Sequence, residues 1–141
     1  DLLSQIMSSS SSSSITFDTF ESFQAELKNS KLLVLVFAES WNKASLSTAK
    51  TFIKLKDSLS YCKIFVLNAS KESEAVWEYG ITATPAVLFF WGGQVLTVCR
   101  EDWDDDNKYV GIQKEKDWVG YIRMAREEGQ SDNSKKLMHF A

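Results

Sequence analysis

From Ile15 onward, apolar runs of strand length alternate with stretches of helical period. Ile15 to Phe17 reads as a short strand. Asp18, with Glu21 three residues later, has the form of a helix N-terminal capping pair, and Phe20, Phe23 and Leu27 then repeat at helical spacing until Lys31. Leu32 to Ala38 (LLVLVFA) is continuously apolar, as expected of a strand covered on both faces. Residues 44–59 predict a helix with Ala49, Phe52, Ile53 and Leu59 on its stripe, and Cys62 to Leu67 predicts another buried strand. Ser70 is placed to cap a helix running to Tyr79, with Gly80 at its left-handed end. Ala86 to Trp91 and Gln94 to Cys99 flank Gly92-Gly93, a strong hairpin signal. An acidic, polar stretch from Arg100 to Lys108 precedes a last helix over about 114–128, which carries Trp118, Val119, Ile122 and Ala125 on one side.

The resulting order, β-α-β-α-β-α-β-β-α, predicts an α/β fold with a central mixed five-stranded sheet flanked by about four helices. Three regions follow. Residues 1–14 form a disordered Ser-rich leader or linker, since the run Ser8 to Ser14 cannot bury apolar surface. Residues 15–128 form the folded domain, and 129–141 a flexible polar tail. A start at Asp1 rather than Met leaves room for a longer parent chain, or for Met7 as the natural start.

Composition narrows the function classes. Apolar residues make up 44% of the 141, enough for one core, and the net charge of −3 leaves no excess of Lys and Arg for phosphate contacts. Direct nucleic-acid binding is therefore not expected. The two cysteines, Cys62 and Cys99, form no C-x-x-C, and the single histidine, His139, lies in the tail, so no metal site is expected. Both thiols read as small buried hydrophobes on separate strands, too far apart to pair. Two thiols without a framework suit a reducing compartment, and no run is long enough for a membrane span. Asp1 to Met7 also lacks the basic and long apolar regions of a signal peptide. Nucleus or cytoplasm is the expected location, and the sequon Asn68-Ala69-Ser70 is discounted on that ground.

The element order and several residues resemble thioredoxin. Val76, Tyr79, Gly80, Ile81 and Pro85, followed by Phe89-Phe90, resemble its Y-G-I-x-x-x-P run and hydrophobic strand, while Phe37 and Trp41 match the residues leading into its redox pair. The resemblance spans about 15–128 and implies a cis bond before Pro85, the only proline, facing the redox loop. It also puts Asn42 and Ser45 where the two cysteines would stand, and Val36 where catalytic members keep a buried Asp. Thiol–disulfide exchange needs an attacking thiolate and a resolving thiol, and neither an amide nor an unassisted hydroxyl supplies them. No redox catalysis and no cofactor are expected at this loop.

A second resemblance concerns what was added. Trp41 to Ser45 aligns without gaps to the W-D-P-x-C loop of the Dim family, the thioredoxin-like proteins of the spliceosome, and the segment from Asp104 to Gly111, then Lys114, Lys116 and Asp117, resembles that family's polar insertion. Asn42, Lys43 and Ser45 replace the Asp, Pro and Cys of its loop. The family implies a non-enzymatic adaptor that binds other proteins of a ribonucleoprotein assembly, here as a monomer. Candidate contacts are Trp41, Trp103, Asp104, Asp105, Asp106, Lys108 and Tyr109, because aromatic residues anchor interfaces at low entropy cost. Trp91 reads as core or edge packing, and Trp77 and Trp118 as helix packing. The alternatives are a single-thiol glutathione-dependent enzyme, a chaperone-like peptide holder using the groove beside Trp41 and Pro85, and a ciliary or cytoskeletal adaptor.

Overall fold

The computed structural model describes residues 15–141, so the leader expected over 1–14 lies outside the described residues. The elements are α1 (Phe20–Leu27), β1 (Leu32–Ala38), α2 (Lys43–Ser58), β2 (Lys63–Asn68), α3 (Ser73–Tyr79), β3 (Ala86–Trp91), β4 (Gln94–Val95), β5 (Thr97–Arg100), β6 (Tyr109–Val110), α4 (Glu115–Gln130) and β7 (Leu137–Phe140). A five-stranded mixed sheet runs β2-β1-β3-β4, with β6 also paired to β3. β1 and β2 are parallel, while β3 is antiparallel to β1, β4 and β6.

The apolar run of β1 is central, and all seven of its residues are buried. Leu32, Val34, Val36 and Ala38 face the cluster that holds Phe52 of α2 and Trp118 of α4. Leu33, Leu35 and Phe37 face the opposite cluster, with Phe20 and Phe23 of α1 and Ala75 of α3. A strand between two helical layers needs no polar face, which is why its sequence does not alternate.

The edges of the sheet depart from the expected pattern. Residues 15–17 form no strand. Asp18 instead makes an isolated bridge at Leu67: its N–H donates to the Val66 carbonyl at 2.8 Å, and its Oδ2 accepts from the Val66 N–H at 2.9 Å. A side-chain oxygen thus takes the place of the next backbone acceptor and ends the pairing. With Asp18 so engaged, the cap of α1 passes to Thr19 and Ser22, each hydroxyl accepting from the other residue's N–H. At the start of α3 the expected Ser70 cap is also displaced. Asn68 Oδ1 accepts the Ser70 N–H at 3.0 Å in an Asx-type turn, and the helix begins three residues later.

The predicted fifth strand divides at Leu96. β4 stays with the main sheet, whereas β5 pairs in parallel with β7 in a second, two-stranded sheet. The tail is accordingly not a flexible appendage. Leu137-Met-His-Phe alternates inward and outward, and Met138 and Phe140 are buried in the core. Burying two large side chains offsets the entropy of ordering four residues, which a polar tail could not do.

Candidate functional site

The loop between β1 and α2 holds the positions that would carry redox thiols. Asn42 is the N-cap of α2, and its Oδ1 accepts the Ser45 N–H at 3.0 Å. Ser45 is fully buried, and its Oγ accepts the Glu39 N–H at 2.7 Å. Both side chains are therefore engaged by backbone N–H groups: Asn42 takes one that the start of α2 leaves unpaired, and Ser45 takes one just past the end of β1. The same loop reaches across to the proline: Glu39 Oε1 accepts from the Thr84 hydroxyl at 2.6 Å, and the Thr84-Pro85 peptide is cis. Pro85 is buried, and its carbonyl accepts the Gly111 N–H at 3.1 Å. Val36 sits in the fully buried core beneath, so no ionisable group backs the loop from that position. Trp41 projects outward at 73% exposure.

The remaining candidates divide in the insertion. Trp103 is 65% exposed, and Asp104, Asp105 and Asp106 are exposed beside it. Asp106 is tied at its backbone, exchanging both hydrogen bonds with Val98 at 2.7 and 3.0 Å. Lys108 folds back, its Nζ reaching Asn107 Oδ1 at 2.8 Å and Asp106 Oδ1 at 3.1 Å, and its side chain is only 10% exposed. Tyr109 is a correction, because it is 4% exposed and cannot offer its ring to a partner. It stacks on Phe140 at 4.6 Å and meets Trp118 edge-on at 5.6 Å. The reason is local: Tyr109 begins β6, whose pairing with Val87 turns its side chain into the core.

Sequence reasoning missed what holds Trp103 in place. The Arg100 guanidinium lies 4.3 Å from the Trp103 ring and 4.3 Å from the Tyr109 ring, and its Nη1 donates to the Val110 carbonyl at 3.2 Å. One arginine clamps the exposed indole to a buried stack through cation–π contact. The signal was present as an Arg immediately before an acidic stretch that contains a Trp. Trp77, expected in helix packing, is instead 87% exposed, and Ile112 adds 61% exposure just after Gly111. Trp118, by contrast, is fully buried as expected.

The two cysteines are not placed as a pair. Cys62 precedes β2 and Cys99 lies in β5 of the other sheet, and both are free. Burial pushes the Cys62 thiol up to about 11. Cys99 is raised as well, first by burial, then by a hydrogen bond to Asp105 and by that carboxylate's charge. At pH 8 Cys62 should alkylate about tenfold more slowly than an unhindered peptide thiol. The higher pKa removes about a hundredfold of thiolate, and the greater basicity of the remainder recovers only about tenfold. Iodoacetamide labelling followed by mass spectrometry measures this, with the Cys62 rate expected to keep rising with pH towards 11. A Cys62 rate at pH 7 above that of the free peptide would contradict it.

Among the described residues, no group of three or more His, Cys, Asp or Glu is placed to hold a metal ion. No helix among them is long and apolar enough to cross a membrane.

Comparison with known proteins agrees with this geometry at the level of fold. No protein-family model matches the chain, and no curated protein matches it by sequence. Solved structures do match. A thioredoxin from Plasmodium falciparum superposes with a TM-score of 0.62 at 13% identity, covering 77% of this chain and 97% of its own. Mitochondrial thioredoxin 3 from Saccharomyces cerevisiae, in its oxidised form, gives 0.60 at 18% identity, covering 77% and 93%. A mutant thioredoxin from Halobacterium salinarum gives 0.61 at 11% identity, covering 76% and 85%. The chain has the thioredoxin-like fold.

Proposed function

We propose that this chain is a redox-inactive thioredoxin-like adaptor that binds other proteins of a larger assembly, acting as a monomer in the nucleus or cytoplasm. The observation that carries the reading is the fate of the redox positions. Asn42 caps α2 and Ser45 braces the loop before it, while two of the three exposed tryptophans, Trp41 and Trp103, stand in that loop and on the insertion. A Trp already clamped by Arg100 loses little rotamer freedom when a partner covers it. The raised thiol pKa values weigh against the single-thiol enzyme reading. The resemblance of the 104–117 segment to the Dim family's insertion favours a spliceosomal ribonucleoprotein as the assembly.

Affinity purification of the tagged chain from native cells, beside Trp103→Ala, tests the reading. A defined set of proteins is expected with the unchanged chain, including splicing components, and its yield should fall about tenfold on losing a hot-spot indole. The Trp103 ring is 65% exposed outside the core and packs on the Arg100 guanidinium, so the variant should remain folded. Recovery of no stable partner would count against the adaptor, and a stable set without splicing proteins would remove the spliceosomal assignment.

A further inference from the structure

A second face of the molecule carries unpartnered charge. Lys43, Ser47, Lys50 and Lys54 recur at intervals of four, three and four, which align side chains on one side of a helix, and all four are exposed on α2. Together with Leu46 and Glu115 of α4 they line an open groove of about 530 Å³.

The stability of α2 does not call for this arrangement. Lys43 is the first helical residue, and the first turn contains no acidic residue. The partial positive charge at a helix start favours carboxylates there and disfavours a cation. No Asp or Glu occurs in α2 before Asp57, so Lys43 and Lys50 have no intrahelical partner at i±3 or i±4. Lys54 meets Glu115 at 3.1 Å, but both side chains are well exposed and such a pair contributes little. Lys43 and Lys50 make no ion pair among the described residues.

We infer that this groove binds an acidic protein segment, one that sets carboxylates against Lys43 and Lys50 and an apolar side chain against Leu46. From Lys43 to Lys54 the stripe runs about 16 Å along the helix, which about five extended residues span. Nucleic acid fits less well. Strong binding through phosphates needs about six or more neutralised charges, whereas the groove offers three lysines and a carboxylate in its wall. The groove uses residues other than Trp103 and its loop, so the inference goes beyond the adaptor reading, and either can fail alone.

Titration of the full chain with a fluorescently labelled peptide of alternating acidic residues and leucine tests it. A peptide with Lys in place of each acid, and a short single-stranded RNA, serve as comparisons. The acidic peptide is expected to bind at about 50 mM salt and to be released by about 500 mM, as screening shortens. Lys50→Glu should weaken it about tenfold or more, whereas Lys135→Glu, on another face, should not. Amide shifts on titration should centre on residues 43–54. Equal binding by the Lys50→Glu variant, insensitivity to salt, shifts centred elsewhere, or tighter binding of the RNA would each overturn the inference.

Discussion

Phe140→Ala is expected to destabilise the protein by about 3–5 kcal/mol, the usual cost of removing a buried aromatic ring. The ring is 4% exposed and stacks between Tyr121 at 4.0 Å and Tyr109 at 4.6 Å, with Phe89 at 6.1 Å. Taking it away leaves a void among side chains anchored on three separate elements, which cannot collapse together without moving β6 or α4. The effect should also be local. Phe140 is in register with Arg100 in the β5–β7 pair, so amide exchange should quicken over residues 97–110 before it does in α1 or α3. Urea unfolding measures the first part through a lowered midpoint at unchanged slope. A loss below about 1 kcal/mol would mean that this strand is not docked as described, since only surface substitutions are that mild.

Why the tail escaped sequence reasoning is instructive. Met138 and Phe140 carry the period of two that marks a strand, but only four residues do so, and Ser131 to Lys136 before them are polar. The partner that makes the strand worthwhile, β5, is itself legible only once Leu96 is known to leave the main sheet. Long, strongly apolar segments were legible for the opposite reason: β1 and β3 bury both faces in any arrangement, so their sequence alone specifies them. Ile15 to Phe17 fails as a strand because the Asp18 carboxylate captures the Val66 amide, a tertiary contact 48 residues apart that no local pattern encodes.

The site divides along the same line. The absence of cysteines from the loop is a matter of residue identity, and Asn42 and Ser45 announce it directly. What those residues do instead, capping the helix and binding the Glu39 amide, depends on a loop geometry that spacing hints at only through Asn42 and Ser45 being three apart. For the insertion, polarity correctly indicated exposure at Trp103 and the aspartates. It misled at Tyr109, whose polar neighbours hide a residue in register with the core of β3. Trp77 fails in the reverse sense, because Ala75, Val76 and Tyr79 make the face of its helix that packs on the core, and Trp77 lies off that face.

Trp118→Ala should cost about 3–5 kcal/mol, while Trp118→Phe should cost under about 1.5 kcal/mol. The side chain is fully buried, with Phe52 at 4.9 Å, Tyr109 at 5.6 Å and Tyr121 at 6.3 Å. Its indole N–H, however, has no hydrogen-bond partner among the described residues. Phenylalanine keeps most of the ring contact and removes a buried donor that gains nothing, so the two substitutions should separate widely. Because Trp118 and Phe140 both rest on Tyr109 and on Tyr121, the double variant Trp118→Ala/Phe140→Ala should lose less than the sum of the single losses. Once either ring is gone, Tyr109 is already loosened, and the second removal forfeits less. A shortfall above about 0.5 kcal/mol is the coupling expected of residues in contact through shared neighbours. Strict additivity would instead mean that neither Tyr109 nor Tyr121 passes the loss of one ring on to the other, and that the insertion carrying Trp103 is held by the Asp106–Val98 pair and Arg100 alone.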